Sequence, residues 1–290
     1  MDYNNFDYRK LEQALVSFPN VRSAGTSTLD RELYYFTVGR GDKKVFLNGA
    51  HHALEWITAP LLVEFANAFN SALSGGGDLY GYDVGEIARK VTYYIMPMVN
   101  PDGVDIVLNG ITPENPYYTD ITEQVGDQEI SAVWQANIRG VDLNHNYDAL
   151  FEAGKRAAEN AGIVGPGPTR WPGEEPFSEF ETRAVRSLVL DEEFDAAVAF
   201  HSQGEVIYWE FNGKGFPEIA RSLARVSGYA LDTAAGISSY SGFKDWYLEK
   251  FDLPAFTVEV GRGTNPIPFE QFESLKEPNF KLILELAEQI

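Results

Sequence analysis

The stretch Ala196-Ala197-Val198-Ala199-Phe200-His201-Ser202 decides the fold. Its apolar residues follow one another without alternation or helical spacing, which describes a strand buried on both faces inside a largely parallel sheet. Ala255 to Val260 repeats the pattern, as does Val91 to Val99, which ends at a turn Asn100-Pro101-Asp102-Gly103. Further upstream, Glu32 to Val38 and Lys44 to Leu47 read as paired strands around a turn at Gly39 to Asp42. Helical spacing of apolar residues occupies Tyr8 to Phe18, Ala53 to Leu73, Phe177 to Leu190, Pro217 to Ser227 and Ser274 to Ile290. Strands separated by helices predict an α/β fold: a mixed, mainly parallel, twisted sheet with helices on both faces and a site at the strands' carboxyl ends. No repeat or low-complexity linker divides the chain, so residues 1–290 read as one domain. The irregular stretches Asn109 to Asn137 and Ala161 to Pro176, rich in Gly, Pro and Tyr, read as rim loops.

Composition narrows the function classes. With 44% hydrophobic and 23% charged residues the chain belongs to the ordinary globular class and can bury a full core. A formal net charge of -20 repels phosphate, which argues against nucleic acid or an anionic membrane as partner and favours a cationic or zwitterionic substrate. The chain has no cysteine, so disulfides and thiolate ligands are excluded and any metal must be held by histidine and carboxylate. Residues Met1 to Phe6 carry acids rather than a signal peptide's basic and apolar stretches, and no apolar run reaches membrane-spanning length. As written, the sequence reads as soluble and cytosolic, with an extracytoplasmic place open if an export segment has been removed.

The chain has four histidines, His51, His52, His145 and His201, each within a few residues of a carboxylate or amide. His52 and Glu55, three apart where a strand runs out through Gly49, can face one side of a helical turn and converge on one ion. The pair alone is a weak signal, and its plainer reading is a capping carboxylate near a half-buried imidazole. His201, at the carboxyl end of a buried strand, stands where α/β folds place ligands.

In chain order, His52-x-x-Glu55-Trp56, Asn100-Pro101-Asp102-Gly103, Gly140-Val141-Asp142-Leu143-Asn144, His201-Ser202 and Phe256-Thr257-Val258-Glu259 resemble the zinc carboxypeptidases of the carboxypeptidase A-like superfamily. The match spans nearly the whole chain. The resemblance implies a carboxypeptidase A-like (phosphorylase/hydrolase-like) fold and one zinc ion, Zn2+, per chain. His52, Glu55 and His201 would ligate it, with water in the open position. It further implies Glu259 as general base and Asp142 as the acceptor that fixes the tautomer of a zinc-bound histidine. His51 matches no ligand position, which leaves it packing or support. Arg139, the only arginine in the stretch before the Asp-x-Asn motif, would stabilise the oxyanion. Tyr240, in the small-residue loop Gly236 to Gly242, resembles the family's mobile tyrosine.

Departures from the family pattern bear on the substrate. In the family's exopeptidases the Asn of Asp-x-Asn precedes an arginine, and the pair clamps a substrate's terminal carboxylate; here Asn144 precedes His145. Imidazole lacks the bidentate fork of guanidinium, which puts ordinary C-terminal trimming in doubt. The segment DLNHN, preceded by Trp134-Gln135-Ala136-Asn137-Ile138-Arg139 and followed later by Glu259-Val260-Gly261-Arg262, resembles the bacterial γ-D-glutamyl-meso-diaminopimelate peptidases. That branch implies a peptidoglycan stem peptide as substrate. Gln203, standing where the family often has an aromatic, and Arg262 would suit a polar peptide with several carboxylates. The alternatives are a carboxypeptidase releasing a C-terminal residue and a silent binder of cell-wall peptides. A binder has no need of Glu259. Two histidines and a glutamate also accept cobalt or manganese, and oligomeric state is not legible.

Overall fold

The computed structural model describes residues 2–234, 236 and 240–290. Its main sheet has eight strands: β1 (Arg22–Thr26), β2 (Glu32–Gly39), β3 (Lys43–Gly49), β4 (Val91–Met96), β5 (Ala196–His201), β6 (Val206–Tyr208), β7 (Ala230–Asp232) and β8 (Ala255–Glu259). They lie in the order β1-β2-β4-β3-β5-β8-β6-β7. The four central strands β4, β3, β5 and β8 are mutually parallel, whereas β1, β2 and β6 add antiparallel pairings. The unbroken apolar runs follow from burial on both sides: Ala196, Val198 and Phe200 enter one core, and Ala197 and Ala199 enter the other. Helices α1 (Tyr8–Leu15), α2 (Thr58–Gly75), α3 (Val84–Lys90), α9 (Pro217–Ser227) and α11 (Phe272–Gln289) contribute to the first core. Helices α8 (Phe180–Glu192) and α10 (Phe243–Phe251) contribute to the second. The expected mixed, mainly parallel sheet with helices on both faces is the fold observed.

The local expectations fail in four places. β2 and β3 do not pair; β4 lies between them, antiparallel to β2 and parallel to β3. The connection at Gly39 to Asp42 is therefore a strap across the start of β4 rather than a hairpin turn. It runs so close that a Cβ added at Gly41 would lie 1.9 Å from the carbonyl carbon of Lys90. Asn100 to Gly103 is not a free turn but the start of helix α4 (Pro101–Asn109), with the Asn100 side chain accepting from the Gly103 N–H at 3.0 Å and proline in the first turn. The stretch 109–137 is not wholly loop, since it holds α5 (Tyr118–Val125) and α6 (Ile130–Val133). Ala53 to Leu73 is likewise broken: a 3-10 turn at Ala53–Glu55 precedes α2, whose first half is almost wholly buried. Among the described residues no helix is long and apolar enough to cross a membrane.

The strap gives a clean test. Gly41→Ala should lower unfolding free energy by about 3 kcal/mol, read from urea denaturation midpoints. Gly77→Ala, with no atom within 4 Å of the added Cβ, should change it by less than about 0.5 kcal/mol.

Candidate metal centre

β3 ends at Gly49 because α2 comes close: a Cβ there would lie 2.9 Å from Thr58 Oγ1. The chain then turns through Ala50, held at φ 50°. Its N–H donates to Thr58 Oγ1 at 2.8 Å, and that hydroxyl donates to the Glu55 carbonyl at 2.8 Å. Asn100 fastens the turn from the other side, its Nδ2 donating to the carbonyls of His51 and Ala136, each at 3.0 Å. The segment carrying His52 and Glu55 is thus tied at both ends before any ligand arrives. On the neighbouring strands, His201 of β5 stands directly across from Glu259 of β8 in the parallel register.

Three side chains converge. His52 Nδ1 lies 2.8 Å from Glu55 Oε1, His201 Nδ1 lies 2.8 Å from Glu55 Oε2, and the two Nδ1 atoms are 3.3 Å apart. His52 Nε2 is 3.1 Å from Asp142 Oδ1. An ionised carboxylate only accepts, so Nε2 carries the hydrogen, and the ring in its neutral form turns the Nδ1 lone pair toward Glu55. Lone pairs facing a carboxylate in a buried site demand positive charge among them. His52, Glu55 and His201 are the group of described residues able to hold a metal ion, all three donor atoms falling within 4.8 Å of one another. Their chemistry, two imidazoles and a carboxylate, is a zinc donor set with a position left open. Burial would raise the Asp142 carboxyl, but the charges of His145 and His52, the His52 hydrogen bond and the Arg170 N–H hold it well below the usual range. His51 is wholly buried, bonds Tyr147 Oη through Nε2 at 2.9 Å and stacks on the His201 ring at 5.5 Å, a supporting place rather than a ligand's.

A cavity of about 140 Å3 opens beside this group, lined by His52, Asn144, His145, Tyr208, Ala234, Gly242, Lys244, Asp245, Thr257 and Glu259. Burial, reinforced by the negative charge of Glu55, pushes the Glu259 carboxyl well above the usual range. Asn144 Oδ1 accepts from the Phe243 N–H at 3.0 Å, and His145 Nδ1 lies 3.1 Å from the Tyr240 carbonyl. Lys244 and Asp245 were not expected from the sequence. Their signal was a Lys-Asp pair set within the apolar run Phe243 to Tyr247, too hydrophobic to be a solvated face.

Of the residues expected to act in catalysis or substrate binding, four line no part of this cavity. Arg139 lines a separate cavity with Tyr117, Gln124 and Trp171, its Nε 3.7 Å from Glu179. Gln203 is exposed, and exposed Arg262 pairs with Glu205 through Nε at 2.7 Å. Tyr240 has its Cβ against α7 (Phe151–Asn160), 2.8 Å from where a Cβ on Gly154 would stand. Residues 237–239 of the expected mobile loop lie outside those described.

The loop that presents Asp142 rests on buried carboxyls. Asn137 Oδ1 accepts from the N–H groups of Arg139 and Val141, each at 3.0 Å, and its Nδ2 donates to Glu179 at 2.8 Å and Glu181 at 3.3 Å. Burial, with Asp102 and Glu179 nearby, pushes the Glu181 carboxyl up to about 7 from an unfolded value near 4.5. A carboxyl raised on folding contributes its full stability below the unfolded value and loses it as pH rises toward the folded one. Glu181→Gln should therefore gain on the native chain by on the order of 2 kcal/mol between about pH 5 and pH 8, measured by urea unfolding at steps of pH. Asp142→Asn should weaken metal binding about 10- to 100-fold, measured by competition with a chromogenic chelator.

Residues 8–281 match the family model described as zinc carboxypeptidase. The γ-D-glutamyl-L-diamino acid endopeptidase 1 of Lysinibacillus sphaericus is 33% identical over 290 residues, covering 97% of this chain and 72% of that protein. Among solved structures, thrombin-activatable fibrinolysis inhibitor superposes with a TM-score of 0.76 at 17% identity, covering 98% of this chain and 72% of that one. The murein-tripeptide amidase of Escherichia coli O157 superposes with a TM-score of 0.56 at 19% identity, covering 93% of each chain. With a His-Glu-His group able to hold a metal ion and a family model matched almost end to end, this chain belongs to the zinc carboxypeptidase family.

Proposed function

We propose that the chain is a single-domain zinc metallopeptidase that hydrolyses the γ-D-glutamyl to meso-diaminopimelate bond of peptidoglycan stem peptides. The observation that carries the reading is Asn144 beside His145 in the cavity of Glu259, where an exopeptidase of this family would present arginine to a terminal carboxylate. The 33% identity to a γ-D-glutamyl-L-diamino acid endopeptidase supports it.

In this reading His52, Glu55 and His201 hold the zinc, which when bound supplies Lewis acidity that polarises the scissile carbonyl and eases deprotonation of water. Glu259 takes the water's proton at its carboxylate and returns it to the leaving nitrogen, which its place across from His201 allows. Asp142 keeps the His52 hydrogen on Nε2, so that Nδ1 stays free for the metal. Asn144 is held by the Phe243 N–H, and its amide hydrogens, without a partner among the described residues, orient the peptide.

The test is mass spectrometry of L-Ala-γ-D-Glu-meso-diaminopimelate-D-Ala incubated with the zinc-loaded chain and with a chelated control. Release of diaminopimelyl-D-Ala only with metal is the expected result. Glu259→Gln should then slow it on the order of a thousandfold while zinc remains bound. Release of D-Ala alone would assign a carboxypeptidase, and zinc-dependent peptide binding without product would assign a binder.

A further inference from the structure

The cavity beside Glu259 holds a balanced pair of charges that hydrolysis itself does not use. Lys244 and Asp245, at the start of α10, are each 3% exposed, yet both line the cavity. Lys244 Nζ donates to the Glu210 carbonyl at 2.9 Å and to Asp245 Oδ1. An ammonium has three hydrogens, so one remains for a ligand. Among the described residues, Asp245 Oδ2 accepts only the Gly242 N–H, at 3.3 Å, and keeps acceptor capacity. His145 is also part of the lining, and its Nδ1 faces the Tyr240 carbonyl, which can only accept. The hydrogen therefore sits on Nδ1, and in its neutral form the His145 ring presents its Nε2 lone pair as an acceptor.

We infer that this cavity is a receptor for a free amino-acid terminus, a side chain ending in paired ammonium and carboxylate, with Lys244 meeting the carboxylate and Asp245 and His145 meeting the ammonium. An apolar side chain would desolvate the ion pair without replacing its water. A singly charged side chain leaves one partner unmet, whereas a zwitterion satisfies both at no net charge. The distal end of meso-diaminopimelate is such a group; lysine at the same position has the ammonium but no carboxylate. This rests on the proposed reading in one respect, that the residue whose nitrogen is released occupies this cavity.

The test compares three peptides, L-Ala-γ-D-Glu-X-D-Ala, with X as meso-diaminopimelate, L-lysine (no distal carboxylate) or L-2-aminopimelate (no distal ammonium). The native zinc-loaded chain should favour meso-diaminopimelate over each in kcat/KM, on the order of ten- to a hundredfold. Lys244→Met should bring the diaminopimelate-to-lysine ratio toward one, and His145→Phe should do so for the diaminopimelate-to-aminopimelate ratio. Equal turnover of the three peptides by the native chain, or a Lys244→Met loss shared equally by all three, overturns the inference. The native comparison needs no variant, so it decides even if a chain altered at buried Lys244 does not fold. If none of the peptides is cleaved, the proposed reaction falls, and calorimetry on the zinc-loaded chain decides the receptor separately. Free meso-diaminopimelate bound more tightly than lysine and 2-aminopimelate upholds it; equal binding of the three overturns it.

Discussion

Backbone hydrogen bonding between two parallel strands is the constraint on which the site depends. β5 and β8 run in register from Ala197 opposite Ala255 to His201 opposite Glu259, and the Val260 N–H closes the ladder onto the His201 carbonyl at 2.8 Å. A slip of one residue would turn His201 and Glu259 to opposite faces, since side chains alternate along a strand. The small side chains Ala197, Ala199 and Ala255 on the same face let α10 pack close, and α10 in turn brings Lys244 and Asp245 to the cavity. Position in this molecule comes from main-chain geometry first, with side-chain chemistry placed upon it.

Charge is handled in a graded way around the centre. His52 and His201 share one carboxylate at the middle, Asp142 stands behind His52, and the loop carrying Asp142 leans through Asn137 on Glu179 and Glu181. Each carboxyl lies deeper than a lone charge could tolerate and is answered by donors: backbone N–H groups, an amide, or an imidazole. Glu181 is the weakest answered of these and holds its proton most readily. The acidic whole, at a net charge of -20, thus surrounds a centre whose geometry selects for a cation.

Much of this was legible in the residues. Buried strands such as Ala196 to Ser202 announce themselves because both faces are apolar, and the ordered motifs around His52, Asp142, His201 and Glu259 carry the family. The long-range pairings stayed hidden. Nothing local in Glu32 to Gly49 tells that a strand some forty residues later enters between β2 and β3, because a strap over glycine and a hairpin over glycine share the same signal. Asn100-Pro101-Asp102-Gly103 suits a turn and a capped helix start alike, and only the packing of Val104, Ile106 and Val107 into the core decides for the helix. Arg139 is the only arginine in the stretch before the motif, but chain position does not report direction, and in the fold its Nε lies 3.7 Å from Glu179. Lys244 taken alone reads as an ordinary solvated helix lysine; the apolar residues around the Lys244-Asp245 pair are the one sequence signal against that, and the burial of Phe243 and Trp246 agrees with it.

The order of strands in the sheet differs from their order along the chain, and this bears on assembly during synthesis. β8, which carries Glu259, is the last strand in sequence but takes a place between β5 and β6. A nascent chain lacking it can bring His52, Glu55 and His201 together while β5 still presents an unpaired edge. The segment that closes that edge is the one that delivers Glu259. Covering the sticky backbone and completing the constellation are therefore one event, and a truncated chain forfeits both together.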